Sequence, residues 1–134
     1  MYSMKEACAL TGMTYENLKF YCNEGLVPNV KRDGRNYRVF DEHDIKWIQS
    51  LKCLKGCNMS IAEMKEYLAL CMVGESSIPE RKEILEAKRE SLLRSIAELQ
   101  EAVAFIDWKQ GFYDDVLSGK TKYYSNLVPE FMKK

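Results

Sequence analysis

TGMTYENLKFYCNEGLVP, residues 11–28, is the stretch that decides the fold of the first half of this chain. Thr11-Gly12-Met13 predicts a tight turn, Thr14 can cap the helix that follows, and Gly25 can stop it. Just upstream, Ser3-Met4-Lys5-Glu6 has the form of a capping box, which starts an earlier short helix. Two short helices across a glycine-containing turn predict a helix-turn-helix.

The next segment, KRDGRNYRVF at 31–40, has the pattern of a β-hairpin. Asp33-Gly34 can supply the positive φ angles of a tight hairpin turn, and the valines and aromatics around it favour strands. A hairpin directly after a helix-turn-helix is a wing. One interpretation is a solvated hairpin whose charges protect a sheet edge; its position favours DNA binding. Its cations are Lys31, Arg32, Arg35 and Arg38.

Two further helices complete the predicted head. Asp41 can cap a third helix that ends at Gly56, and Ser60-Ile61-Ala62-Glu63 has the capping-box form that opens a fourth, running to about Met72. We therefore expect residues 1–73 to form one domain of four helices and a hairpin.

From Ser77 the chain changes character. Ser77 and Glu80 fit another capping box, and no glycine or proline follows Pro79 until Gly111. Apolar residues then recur in heptads, which predicts a long helix over 76–110 with a narrow apolar seam. The apolar seam could pack against the head of the same chain. Because the helix would be roughly 50 Å long, we instead expect it to pair with a second helix, which implies a homodimer. The predicted interface residues are Leu85, Leu92, Ile96, Leu99, Val103 and Ile106.

The remaining tail, 111–134, is aromatic with little periodicity. Aromatic side chains in such a segment usually dock onto something. We expect them to cover the apolar surface of the dimer, while a contribution to an effector pocket is the alternative. They are Phe112, Tyr113, Tyr123, Tyr124 and Phe131.

Charge and cysteine content narrow the class of protein. Twenty Lys and Arg balance twenty Asp and Glu, so binding to nucleic acid requires a local basic patch rather than an overall positive field. No apolar run approaches the roughly 20 residues that span a bilayer, and no signal-peptide core opens the chain. Five cysteines, an odd number, lack the spacing of a secreted disulfide framework. We expect a soluble, cytoplasmic protein with reduced thiols and no membrane partner.

The order of these elements resembles the MerR family of transcription regulators. Residues 11–28 are similar to the family's TGV…LRYYE…GL-P segment, NYRVF (36–40) to its GYR-Y wing motif, and MSIAEMKEYL (59–68) to its G-SL-EI…L segment. The resemblance covers essentially residues 1–110. It implies a mainly α fold, in which a winged helix-turn-helix head precedes a dimerisation helix that forms an antiparallel coiled coil.

The resemblance also implies how DNA is bound. In proteins of this family the second helix enters the major groove and the wing contacts the flanking DNA backbone. The resemblance implies a homodimer that binds a palindromic promoter whose spacer is too long. In response to an effector, the dimer would distort this promoter so that RNA polymerase can use it. The residues this assigns to double-stranded promoter DNA are Thr14, Tyr15, Lys19 and Tyr21 on the helix and Lys31, Arg32, Arg35, Tyr37 and Arg38 on the wing.

Four positions depart from the family pattern. Lys19 replaces the usual Arg, Phe20 the first Tyr of a pair, Cys22 the expected Glu, and Asn36 the Gly of the wing motif. Lys19 keeps the positive charge but lacks the bidentate fork of arginine, so we expect a weaker phosphate contact there.

Cys53 is the candidate sensor. DIKWIQSLKCLKG (44–56) resembles the aldehyde- and electrophile-responsive branch of the family, which carries a cysteine at this position. On a helical wheel Cys53 also falls outside the apolar stripe of its helix. The alternative is a cysteine packed against the partner's long helix. Cys8, Cys22, Cys57 and Cys71 are interpreted as structural.

Metal sensing, cofactors and catalysis are not expected. No cysteine follows Cys71, and the only histidine is His43, which disfavours a soft-metal site. Ser118-Gly119-Lys120-Thr121 imitates the end of a phosphate-binding loop, but Asp114 stands where that motif needs glycine. A ligand-independent DNA-binding repressor or architectural protein is the competing function.

Overall fold

The computed structural model describes residues 1–127, and its fold is mainly helical, with a small antiparallel sheet and a long C-terminal helix. This confirms the predicted winged helix-turn-helix head and the long helix after it. Residues group into two compact units, Met1–Leu92 and Leu93 onward. The elements are β1 (Tyr2–Ser3), α1 (Met4–Thr11), α2 (Tyr15–Asn23), β2 (Lys31–Arg32), β3 (Arg38–Phe40), α3 (Glu42–Gly56), α4 (Ile61–Val73), a 3₁₀ turn (Glu75–Ser77) and α5 (Ile78–Leu117).

Side-chain caps fix the starts of the four head helices as the sequence predicts. The hydroxyls of Ser3 and Ser60 each accept a hydrogen bond from the backbone N–H of the glutamate three residues on, and the carboxylate of that glutamate accepts one from the serine N–H, which completes both capping boxes. Thr14 accepts from the Asn17 N–H, and Asp41 accepts from the Asp44 N–H. Each cap satisfies a backbone donor that the first helical turn leaves free.

The sheet has one strand more than the sequence predicts. β3 lies between β1 and β2, with Tyr2 opposite Phe40 and Lys31 opposite Val39. The start of the chain is therefore tied to the wing by backbone pairing. A two-residue strand has no periodicity from which it could be recognised.

The wing turn differs from the predicted Asp-Gly turn. Positive φ is adopted by Asn36 (φ 66°) and not by Gly34. The Asp33 carboxylate accepts hydrogen bonds from the N–H groups of Arg35 (2.9 Å) and Tyr37 (3.0 Å), which folds the loop around that side chain. Asparagine tolerates this left-handed conformation better than most residues.

The core of the first unit is built around α3. Ile45, Ile48, Leu51 and Leu54 are all buried on one face of that helix. The half-buried Trp47 donates its indole N–H to the Leu26 carbonyl at 2.7 Å. α3 thereby packs against α1, α4 and β3.

The junction before α5 corrects the expected capping box. Ser77 ends a 3₁₀ turn, and its hydroxyl accepts a hydrogen bond from Arg81 Nε at 2.9 Å instead of capping the helix through Glu80. Lys88 on α5 pairs with Glu63 on α4 at 2.6 Å. These contacts secure the first turns of α5 to the head.

In the second unit, α5 continues past the predicted end at 110, through Gly111, to Leu117. The rings of Trp108 and Phe112 stack at 6.1 Å between centroids, and Tyr124 returns to within 4.9 Å of Phe112. The tail thus packs on the end of its own helix. The predicted role of Phe131 lies outside the described residues. No helix among residues 1–127 is long and apolar enough to cross a membrane.

Candidate nucleic-acid interface

A cleft of about 460 Å³ lies between the wing and the first turns of α1 and α2. Four of the side chains predicted to contact DNA line it, namely Tyr15, Arg32, Tyr37 and Arg38. Tyr15 is 57% exposed and Tyr37 is 66% exposed, so both phenol groups are available to a ligand. The structure brings these residues from two separate elements onto one surface.

Local geometry explains this convergence. The Thr14 cap makes Tyr15 the first residue of α2 and directs the chain away from the turn. Asp33 holds the wing loop, and pairing of Arg32 with Arg38 across the strands places the two side chains on the same face of the sheet. The result is a basic, aromatic surface in a protein with zero net charge.

Both arginines are oriented by hydrogen bonds within the head. Arg32 Nη1 donates to the Asn36 carbonyl at 2.8 Å, and Arg38 Nη2 donates to Asn23 Oδ1 at 2.5 Å. A guanidinium has five N–H donors, so each arginine retains donors for an anion. The Asn23 contact also links the end of α2 to the wing.

Three other predicted residues are exposed but do not line the cleft. Lys19 lies on α2, Arg35 lies in the wing loop, and Thr14 accepts the helix-capping hydrogen bond described above. Lys19 and Arg35 thus add exposed positive charge outside the cleft.

Lys31 is less available than the sequence suggests. Its ammonium lies 2.9 Å from Asp41 and 3.7 Å from Asp44, at the start of α3. The hydrogen bond to Asp41 raises the pKa of Lys31. A DNA phosphate has to compete with two carboxylates for this cation.

The predicted DNA contact of Tyr21 is wrong in this conformation. Its side chain is 3% exposed, it belongs to the hydrophobic core with Leu18, and its hydroxyl is buried without a hydrogen-bond partner among the described residues. Burial also raises the pKa of the phenol. Tyr21 follows Leu18 by three residues, which places both on the inner face of α2.

The cleft has a third wall, formed by Ser3, Met4 and Lys5, that the sequence does not predict. The capping pattern predicts the helix start at Ser3 but not the pairing of β1 with β3 that brings this turn to the wing. The contact of Arg38 with Asn23 is likewise not predicted. Both contacts join residues far apart in the sequence, and no local pattern signals them.

Cys53 lies on the exposed side of α3, away from the buried stripe, as the helical wheel predicts. Of the nearby lysines, Lys52 points its ammonium to the Thr11 carbonyl at 3.3 Å. The other four cysteines are half-buried. Within the described part of the chain, no group of three or more His, Cys, Asp or Glu side chains is placed to hold a metal ion.

The predicted seam of α5 is largely uncovered. Leu99 is 66% exposed, and with Ile96 and Val103 it lines a shallow apolar surface. Ile106 and Leu85 are also exposed, while Leu92 is half-buried. No residue of α5 is fully buried within residues 1–127.

Comparisons with known proteins agree with this geometry. Residues 2–71 match the family described as MerR HTH family regulatory protein. An uncharacterized HTH-type transcriptional regulator of Haemophilus influenzae is 33% identical over 112 residues, 84% of this chain and 83% of that protein. The HTH-type transcriptional regulator AdhR of Bacillus subtilis is 39% identical over 82 residues, 61% of this chain and 59% of AdhR.

A solved structure is similar along most of the chain. It is that of HiNmlR, described as a MerR family regulator lacking the sensor domain, bound to promoter DNA. The two chains superpose with a TM-score of 0.73 at 32% identity, over 87% of this chain and 93% of HiNmlR.

Proposed function

The chain belongs to the MerR family of helix-turn-helix regulatory proteins and is a transcriptional regulator of that type, and we propose that it acts by binding a palindromic promoter as a homodimer. The observation that carries this proposal is the cleft in which Tyr15, Arg32, Tyr37 and Arg38 converge. Arginine pairs with phosphate through two parallel N–H donors, and a tyrosine hydroxyl can donate a third hydrogen bond. Such contacts fix the position of a protein on the duplex.

A neutral chain needs its cations in one place to do this. Affinity for DNA depends on how many phosphates meet Lys or Arg, and each such contact releases condensed counterions. The wing and α2 supply these cations locally, and the carboxylate of Asp33, which lines the cleft, accepts backbone hydrogen bonds from Arg35 and Tyr37. The cleft is thus the surface best suited to the DNA backbone.

Dimerisation through α5 is the second part of the proposal. The exposed row of Ile96, Leu99 and Val103 needs an apolar partner, and a second copy paired as an antiparallel coiled coil supplies it. Two heads held at a fixed separation can engage both halves of a palindrome.

We further propose that the dimer distorts an over-spaced promoter so that RNA polymerase can use it. Bending a site of this size costs on the order of 1–6 kcal/mol. The phosphate contacts of two clefts have to offset that cost. An effector would act by shifting the dimer between two conformations on DNA.

A thiol-reactive electrophile, such as an aldehyde, is the proposed effector, and Cys53 is the proposed sensor. Its thiol is exposed on the side of α3 opposite the core, so a small molecule in solution can reach it. The similarity to AdhR and the residues around Cys53 support this choice.

A ligand-independent DNA-binding regulator is the second candidate. It is favoured by the similarity to HiNmlR, which is described as lacking a sensor domain and is bound to promoter DNA. The two candidates share the same cleft and differ only in the role of Cys53.

One experiment tests binding and separates the candidates. The purified chain is titrated onto duplex DNA from upstream of its own gene and onto the same duplex with one half of the palindrome scrambled. We expect tighter binding to the intact palindrome, and equal affinity for both would contradict the proposal. Transcription from that promoter is then compared for the wild type and Cys53→Ser with and without an aldehyde. Loss of the aldehyde response in the variant supports sensing by Cys53, whereas a response that persists in the variant excludes Cys53 as the sensor. No aldehyde response in either protein supports the ligand-independent candidate.

A further inference from the structure

The DNA-facing cleft has a wall that neither α2 nor the wing supplies. We propose that Lys5, in the first turn of α1, is an additional phosphate-binding residue, so that three elements rather than two contact the DNA backbone. This inference rests on the proposed DNA-binding function. Ser3, Met4 and Lys5 form the wall in question, facing Tyr37 and Arg38 across the cleft.

The fold fixes the position of this wall. Tyr2 pairs with Phe40 and Ser3 with Val39, so the start of α1 is joined by backbone to the strand that carries Arg38. The Ser3 capping box then sets the direction of the helix. The strand pairing before Lys5 and the helix after it therefore hold Lys5 beside the wing, although it lies more than thirty residues from Arg38 in the sequence.

The charge of Lys5 is not used within the head. Three of the nine lysines in the first unit are paired with carboxylates, Lys31 with Asp41, Lys65 with Glu24 and Lys88 with Glu63. Lys5 forms no ion pair among residues 1–127 and is exposed. The neighbouring Glu6 carboxylate accepts a hydrogen bond from the Ser3 N–H at 3.0 Å, which holds it at the helix cap.

The balance of charge in the cleft favours an anion. Lys5, Arg32 and Arg38 contribute three positive charges, and Asp33 contributes one negative charge, which leaves two positive charges among the lining residues. The hydroxyls of Tyr15 and Tyr37 add neutral donors. A phosphodiester carries one negative charge and several acceptor oxygens, so its chemistry matches this set.

The test measures salt dependence of binding to the upstream duplex by fluorescence anisotropy, using the full chain. Lys5→Ala should lower the slope of log affinity against log salt by about 0.9 for each bound protomer. When the salt is raised from about 50 to 200 mM, the affinity of the wild type should fall by a factor that is roughly 3.5 times larger, per protomer, than the factor by which the affinity of the variant falls. Lys5→Arg should restore the wild-type slope. Lys82→Ala, which removes an exposed lysine of α5, is the matched control.

The outcomes separate this inference from the proposed function. If Lys5→Ala matches Lys82→Ala in affinity and slope while Arg38→Ala has a reduced slope, Lys5 is not in the interface and the inference is overturned, but the proposed function stands. If the wild type fails to bind the duplex even at low salt, both are overturned. Circular dichroism of each variant checks the fold, and alanine is a favourable helix residue at this position.

Discussion

At the scale of single residues, two arginines of the proposed DNA interface are already oriented by hydrogen bonds in the DNA-free protein. Arg38 is held by Asn23 at 2.5 Å and Arg32 by the Asn36 carbonyl at 2.8 Å. Fixing a long side chain in advance reduces the rotamer entropy lost on binding. Arg38 is therefore pre-oriented, and the exposed Tyr37 lines the same cleft, so removal of either side chain should reveal a phosphate contact.

Substitution of these two residues should weaken DNA binding in different ways. Arg38→Ala removes a cation, so we expect lower affinity for every duplex and a salt slope reduced by about 0.9 per protomer. Tyr37→Phe removes only a hydroxyl, so the affinity should fall by about 1 kcal/mol per protomer with little change in slope. Anisotropy titrations over a salt series measure both quantities. Lys82→Ala is again the control. If Arg38→Ala has the same salt slope as the wild type, the wing does not contact the DNA phosphates.

The sequence alone predicts some residues of the cleft and not others. Tyr15, Arg32, Tyr37 and Arg38 were predictable because motif spacing and charge both mark them. Tyr21 was misassigned although its position three residues after Leu18 marks the inner face of α2. Lys5 was missed because its place in the cleft depends on a strand pairing across more than thirty residues.

At the scale of elements, carboxylates at helix starts connect local structure to stability. Asp41 accepts the Asp44 N–H and pairs with Lys31, and these contacts lower its pKa from 3.8 to about 2. The salt bridge with Lys88 and the Ser60 backbone N–H lower the pKa of Glu63 from 4.5 to about 2. Both groups are less readily protonated in the folded chain than in the unfolded chain.

Acid should therefore destabilise the protein through these two groups. A lowered folded-state pKa stabilises the fold above the unfolded pKa, and that contribution is lost as the pH falls through the folded pKa. We expect the free energy of unfolding in urea to decrease between about pH 5 and pH 2. Asp41→Asn retains a good N-cap residue but cannot titrate, so its pH dependence should be weaker.

The matched control for this prediction is Glu83→Gln, which changes an exposed carboxylate on α5. Its pH profile should follow that of the wild type. A wild-type pH profile in Asp41→Asn would show that the Asp41 contacts do not contribute to acid sensitivity.

Element boundaries mark where sequence reasoning fails for physical reasons. The caps of α1 to α4 were predictable because each rests on one local hydrogen-bond pattern. The end of α5 was not, because glycine inside a helix costs only about 1 kcal/mol relative to alanine. Stacking of Trp108 on Phe112 within the helix and packing of Tyr124 against Phe112 provide side-chain contacts that can offset this cost across Gly111.

At the scale of the whole molecule, a neutral chain combines a basic cleft in its first unit with an exposed apolar seam on α5. In the proposed dimer each cleft would engage one half of a palindrome, and the partner helix would cover the seam, whose leucine side chains are exposed in one copy. The proposed homodimer accounts for both. Assembly and promoter binding should therefore fail together when the seam is changed.

Leu99→Glu tests this coupling. In a symmetric dimer the substitution occurs twice, and each lost leucine contact costs about 1.5–3 kcal/mol. Dimerisation should weaken by at least about 3 kcal/mol, roughly a hundredfold. Analytical ultracentrifugation should give about twice the chain mass of 15.6 kDa for the wild type and a shift toward 15.6 kDa for the variant. Affinity for the intact palindrome should fall in parallel, because the two heads are no longer linked.

Ala97→Glu provides the control, because it adds the same charge about 160° around the helix from Leu99 at roughly 100° per residue. Ala97 is exposed, and its substitution should leave both mass and palindrome affinity close to those of the wild type. A wild type that sediments as a monomer at micromolar concentration would contradict the proposed dimer. A Leu99→Glu variant that remains dimeric would show that the copies associate through another surface, and the seam would then need a different partner.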